Sequence, residues 1–366
     1  MWQTHPILGW AFFIISDNIL QKCFDCDRIC VRKWANELFS NQFCKGERSL
    51  PIHREIAVIA GAEMPFQENW ALRRCRYAPE NGSKGRVCIA AGIHGDEMMG
   101  QLICFEIAAH ILKEPEKLAG IIDIYPMLNP LGLDIGERMV PVGTRLDMNL
   151  AFPGSENGTP LEILCYQIMQ DMLGADLVLD IHASTQFKSE LYEVRMNEAD
   201  AERLIPKARA LCPELIWVYP AYAAYGSSLV SALGAAGTDA LILEADERRR
   251  KPKEIAEGVV SGIFCKLKEM GIWVGETREI PDEIPIVRTR EDICRVTCAI
   301  PGVYVPEDHI GKRVSEGEVL GCVVDALEGT IRETVKAPVS GLVFTQRSYS
   351  AVYPGTLIAR IRKEPT

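Results

Sequence analysis

Three short stretches hold the residues best suited to chemistry. In Gly92-Ile93-His94-Gly95-Asp96-Glu97 an imidazole and a carboxylate stand three residues apart. That spacing reads as one helical turn, on which both side chains project to the same side and can grip one cation. Asp180-Ile181-His182 supplies a second imidazole. Asp180 shares its face of an extended chain and can orient His182 or a neighbour. Two histidines and a glutamate are the protein ligands of an open zinc site, which leaves a fourth position to water. Such a site needs a base. Glu244 ends the apolar run Ala240-Leu241-Ile242-Leu243, where a carboxylate is costly unless it is used or paired. From the residues alone, a structural ion pair with Arg248, Arg249 or Arg250 reads equally well. His53, His110 and His309 read as satisfied core histidines.

The elements that must position these groups form an α/β pattern. Val87 to Ile93 reads as a buried strand, with a helix through Gln101 to Leu112. Gly120 to Pro126 reads as a second strand. A helix over Pro160 to Met172 leads into a third strand, Ala175 to Ile181. Ala240 to Glu244 is another, followed by a helix over Lys253 to Met270. Strands alternating with helices of this length predict a mixed sheet with helices on both faces over residues 52–275. The motifs then fall at strand ends, where α/β sheets bind their ligands. Residues 276–290, polar and carrying Pro281 and Pro285, read as a linker. Residues 291–366 read as a small all-β sandwich, with short strands between Gly302, Gly311, Gly317, Gly321, Gly329, Gly341 and Gly355. Ala299 to Val305 is weakly echoed by Ala337 to Phe344, as two related halves of one sandwich would be. This module is similar to the lipoyl and biotinyl carrier fold, yet no lysine stands in the turn Asp325 to Gly329. It is expected to be structural, or a lid on the site.

Residues 1–51 differ from the rest. Cys23, Cys26, Cys30 and Cys44 could share an ion, but a lone short-spaced group is a weak pattern. The segment reads as a helical extension or as upstream sequence. The chain has 366 residues, 25% of them charged and 48% hydrophobic, the balance of an ordinary globular protein. A net charge of −10 speaks against a general nucleic-acid binder. No stretch approaches the roughly 20 apolar residues that span a bilayer. Pro6 to Ile15 is too short, and no Lys or Arg precedes it as in a signal peptide. Thirteen cysteines, an odd number scattered through apolar runs, suit buried thiols in a reducing cytosol. A cytoplasmic protein with a small-molecule substrate is expected, without nucleic-acid or membrane partners, and a homo-oligomer is compatible with this.

In order along the chain, these motifs resemble the succinylglutamate desuccinylase/aspartoacylase family, relatives of the zinc carboxypeptidases. Gly92 to Glu97 is similar to its zinc motif. Pro126-Met127-Leu128-Asn129-Pro130-Leu131-Gly132 is similar to P-x-x-N-P-x-G. Asp147-Met148-Asn149 with Phe152-Pro153-Gly154 is similar to D-x-N-R-x-F-P-G. Asp180-Ile181-His182 matches its D-x-H, and Leu243-Glu244 its catalytic glutamate. The β module resembles the C-terminal domain of these deacylases. The resemblance runs over about residues 52 to 363 and implies a zinc carboxypeptidase-like α/β fold followed by the β module.

The resemblance further implies Zn2+ held by His94, Glu97 and His182, with Glu244 as general base and later proton donor. Arg138, at the R-x-x-P position, would stabilise the oxyanion, with Arg145 in reserve. Asn149 and Arg145 would help hold the substrate, a small N-acyl amino acid or related N-acylated amine whose amide bond is cut. One departure bears on the substrate. Where the family has an arginine that contacts a substrate carboxylate, this chain has Leu150, and the two are not interchangeable. Arg145 or the Arg248–Arg250 run could replace that grip, or the substrate could lack the carboxylate. Two other readings stand beside the deacylase. A zinc carboxypeptidase acting on peptides would need a long open groove, whereas a β module over the site would favour small substrates. A non-catalytic zinc-binding protein is the other.

Overall fold

The computed structural model describes residues 51–63, 69–141, 145–184, 187–220, 227–246 and 252–364. The N-terminal cysteine group and the Arg248–Arg250 run lie outside the described residues.

The chain opens with a hairpin of two long strands, β1 (Ile52–Glu63) and β2 (Asn69–Pro79), paired antiparallel. Strand β3 (Arg86–Ala91) leads to helix α1 (Met99–Lys113), then come β4 (Ile121–Tyr125) and the short α2 (Pro130–Ile135). Helix α3 (Pro160–Met172) begins where Thr159 and Glu162 form a reciprocal capping box behind Pro160. It stops ahead of Gly174, whose φ of 78° a side chain would resist. Strands β5 (Leu177–His182), β6 (Lys188–Glu190) and β7 (Glu193–Asn197) follow. After them come α4 (Ala201–Arg209), β8 (Leu215–Tyr219), α5 (Leu229–Ala235), β9 (Ala240–Glu244) and α6 (Pro252–Glu269).

The main sheet has nine strands in the order β1-β2-β4-β3-β5-β9-β7-β8-β10, where β10 is Ile286–Val287. Its centre, β4-β3-β5-β9, is parallel, while β2 meets β4 and β7 meets β9 antiparallel. The period of two sorts the side chains between two cores. Val87, Ile89, Leu177, Leu179, Ile181, Leu241 and Leu243 pack on one face beneath α1, α4 and α6. On α1, Ile103, Ile107 and Ile111 recur at four-residue intervals and are fully buried, each worth about 1.5–3 kcal/mol. Cys88, Ala90, Val178, Ala240 and Ile242 face the other core, with α3 and α5. This is the mixed sheet covered on both faces that the pattern predicts.

Two expectations need correction. Residues 276–290 are not merely a linker, because β10 joins the main sheet parallel to β8. His94 and Glu97 do not share a helical turn. They lie on a tight turn ahead of α1, closed by the Glu97 amide donating to the His94 carbonyl at 3.4 Å.

The β module is a sandwich. One sheet comprises β11 (Ile293–Thr297), β18 (Leu357–Lys363), β16 (Gly341–Arg347) and β13 (Arg313–Val314). The other comprises β15 (Thr330–Lys336), β14 (Val319–Asp325), β12 (Gly302–Pro306) and β17 (Ser350–Val352). The echoed segments supply β12 and β16, one strand to each sheet. Both begin with glycine for the same steric reason. A Cβ on Gly302 would lie 2.8 Å from the Val324 carbonyl oxygen, and one on Gly341 2.1 Å from that of Arg362. Strand β6 of the α/β part pairs with β16, so the module is continuous with the main body.

Candidate active site

Two glycines shape the loop that carries His94 and Glu97. Gly92 has a φ of 70°, and a Cβ on Gly95 would lie 2.0 Å from the Gly132 backbone. The segment after β4 is laid against this loop. The Asn129 amide donates to the Gly92 carbonyl at 2.7 Å, and the Gly95 amide to that of Arg138 at 3.4 Å. Asn129 also caps α2 by accepting from the Gly132 amide at 2.9 Å. The glycines of the two motifs are thus packing requirements of one another.

His94 Nδ1 lies 2.8 Å from Glu97 Oε1, and His182 Nδ1 lies 3.1 Å from Glu97 Oε2. The two Nδ1 atoms are 3.2 Å apart. All three residues are buried, and their donor atoms lie within 4.8 Å of one another. The far nitrogen of each imidazole is held by a carboxylate, His94 Nε2 by Asp147 at 3.2 Å and His182 Nε2 by Asp180 at 3.0 Å. This arrangement fixes ring orientation and aims both Nδ1 atoms at one point, as metal-ligating histidines require. The donor set fits a divalent ion of the zinc type. Asp180 orients His182, as the spacing suggests. The role of Asp147 beside His94 was not read from sequence, and only its place in the matched D-x-N segment marked it.

The electrostatics follow from this crowding. Burial opposes charge on His94, but Asp147 and Glu97 outweigh it and raise its pKa. Burial likewise opposes ionisation of Glu97, and the facing His182 and His94 overcome it, holding the carboxylate ionised. Arg138 donates to Glu97 Oε1 at 3.1 Å and to Asp147 Oδ2 at 3.4 Å.

Register places the remaining groups. Glu244 is the β9 partner of His182 and the β7-side partner of Glu193, while Ile242 pairs with Arg195 and Arg195 with Trp217. Partners across a sheet share a face, so Asp180, His182, Glu244, Arg195 and Trp217 lie on one side of the sheet, and all of them but Asp180 line one pocket. The pocket has a volume of about 180 Å³, and His94, Glu97, Arg138, Asn149, His182 and Glu244 all line it. A larger groove of about 580 Å³ lies between α1 and α6 and gathers no comparable donor set.

Arg195 was not anticipated. It donates to Glu244 at 2.8 Å, to Glu193 at 3.0 Å and to Glu190 at 3.2 Å, and its guanidinium lies 4.8 Å from the Trp217 ring. The β module enters the same cluster. Arg360 donates to Glu190 at 3.1 Å and packs 5.1 Å from the Trp217 ring, while the Thr345 hydroxyl donates to Glu190 at 3.2 Å. Burial pushes Glu244 above the usual carboxylate range against the pull of Arg195. Burial also pushes Glu193 up to about 8, because one guanidinium is shared among three carboxylates.

Asn149 lines the pocket, its side-chain oxygen accepting from the Leu229 amide at 3.0 Å. Arg145 does not join the pocket lining. It is largely exposed and lies 3.6 Å from Glu137. Leu150 is 57% exposed and also outside the lining. Of the remaining histidines, His53 is exposed, His309 Nε2 donates to the Val319 carbonyl at 2.8 Å, and His110 packs on Phe264. His53 is exposed and His110 half-exposed, so neither is the core histidine expected.

Fold and site together define an α/β protein with a His/Glu/His donor set at its strand ends and an appended β sandwich. The chain is similar to the succinylglutamate desuccinylase/aspartoacylase family: residues 83–257 match the model of the Succinylglutamate desuccinylase/Aspartoacylase catalytic domain. Several solved structures share the fold. A succinylglutamate desuccinylase/aspartoacylase from Rhodobacter sphaeroides superposes with a TM-score of 0.69 at 21% identity, over 86% of this chain and 96% of that one. The product-bound ectoine utilization protein EutE (DoeB) from Ruegeria pomeroyi gives 0.70 at 19% identity, over 87% and 100%. An aspartoacylase family protein from Mesorhizobium loti gives 0.68 at 18% identity, over 88% and 98%. No curated protein matches the sequence. Among the described residues, no helix is long and apolar enough to cross a membrane.

Proposed function

We propose that this protein is a zinc-dependent hydrolase, a deacylase that cleaves the amide bond of a small N-acyl amino acid or related N-acylated amine. The observation that carries this reading is the facing of His94, Glu97 and His182 on one pocket with Glu244. Zinc bound by those three residues would supply a Lewis acid for the scissile carbonyl and acidify a water. Glu244, on the strand beside His182, takes the proton of the attacking water and returns it to the leaving amine. Burial raises its pKa, which makes it a stronger base than an exposed carboxylate. Arg138, beside Glu97 at the pocket lining, donates to the carbonyl oxygen as negative charge develops there. Asn149 holds the substrate.

Small substrates are favoured over peptides by the size of the pocket and by β6, whose Lys188 and Glu190 line it and which β16 of the β module braces. The test is zinc-loaded protein against a panel of N-acyl amino acids and N-acylated diamines, with released amine measured. Release from at least one of them is expected. A fully zinc-loaded protein that releases amine from none would return the non-catalytic zinc-binding reading.

A further inference from the structure

Among the described residues three Lys or Arg side chains line the pocket, and two of them are already engaged. Arg138 is bonded to Glu97 and Asp147, and Arg195 to Glu190, Glu193 and Glu244. The third is Lys188, half-buried on β6 and set in register by its pairing with Arg347 of β16. Among the described residues its ammonium has no side-chain hydrogen bond or ion pair. Burial pushes its pKa below the usual lysine value, with Glu190 pulling the other way and Arg360 and Arg195 adding to the push. A half-buried cation without a partner is costly, and an anion arriving from solution recovers that cost.

Glu190, Glu193 and Glu244 are all bonded to Arg195, and Glu190 to Arg360 as well, so these carboxylates already have guanidinium partners. The neighbouring lining is uncharged: Trp217, Tyr219, Ile242 and Ala183. Neither Arg145 nor the residue at 150 reaches the lining to add a second charge.

We propose that Lys188 is a carboxylate anchor of this pocket, and that the substrate is an N-acyl amino acid held there by its carboxylate. This rests on the hydrolase reading for the word substrate, but the binding site itself stands without turnover.

The experiment uses the full chain freed of metal, so that no carboxylate can bind an ion instead. Calorimetry compares N-acetyl-L-leucine with its neutral amide. The acid is expected to bind at least ~10-fold tighter than the amide, the size of one charge-assisted hydrogen bond. Lys188→Met should abolish the difference between acid and amide, and Lys188→Arg should keep most of it. Circular dichroism checks that each variant is folded, and Lys188→Gln replaces Lys188→Met should the latter not fold. Equal binding of acid and amide by the wild type would overturn the proposal. So would an acid preference that survives removal of the ammonium. Turnover of zinc-loaded protein is scored separately. A preserved acid preference without any hydrolysis refutes the deacylase and leaves the anchor standing.

Discussion

Arg195 donates to Glu244 across 2.8 Å, from β7 to the adjacent β9. The carboxylate at the end of β9 is therefore both paired and turned into the pocket, so the structural and catalytic readings of Glu244 are not exclusive. Arg195 keeps Glu190 and Glu193 as well. Neutralising Glu244 thus leaves the guanidinium with two other partners.

For Glu244→Gln this means fold without turnover. Zinc content and melting temperature should stay close to wild type, and turnover should fall by the ~10²–10⁴-fold typical of a lost general base. Measuring all three on one preparation decides it. A variant that melts early yet works normally per folded molecule would end the catalytic role.

Arg195→Met is expected to behave in the opposite way, through stability. It strips three buried carboxylates of their shared cation, and breaking a buried pair in this way costs about 3–5 kcal/mol. Denaturant titration at neutral pH reads the loss. A change within about 0.5 kcal/mol would show that the cluster is not held by this arginine.

Glu193 makes the stability depend on pH. Its folded pKa of about 8 lies above the ordinary carboxyl value, so the folded chain keeps a proton that the unfolded chain gives up between the two. The contribution is fully present below the ordinary value and is lost as pH rises to about 8. Glu193→Gln removes that dependence. Its melting temperature relative to wild type should climb steadily from pH 5 to pH 8.5, and an offset constant across that range would count against a protonated Glu193.

Metal retention should separate the ligands from the carboxylates behind them. His94→Ala and His182→Ala should each abolish the approximately one zinc per chain expected of purified protein, since three protein ligands are the minimum. Asp147→Asn and Asp180→Asn should retain zinc with affinity weakened about 10- to 100-fold, because they disturb only imidazole orientation. Metal analysis and competition with a chelator check both. Unchanged affinity in Asp147→Asn would remove its assigned part in holding His94.

Local pattern carried much of the architecture, because it depends on near neighbours in the chain. The apolar runs at β3, β5 and β9 and the helix over Pro160–Met172 follow from periodicity and capping. His94, Glu97, His182 and Glu244 could be singled out because polar groups at the ends of apolar strands are costly without a use. The hairpin β1–β2 and strand β10 were not legible, since their pairing partners lie far away in sequence and their runs are polar or short. Other features were decided only by tertiary structure. Asp147 reaches His94 across 53 residues, and Arg195 reaches Glu244 across 49. Arg360 joins Glu190 from the other end of the chain. Arg145, an apt residue by type, faces outward, whereas Lys188, unremarked in the sequence, faces the pocket. Charge type is written in the sequence, but which charges meet, and which one is left without a partner, is set by strand register and by the packing of the β module against β6.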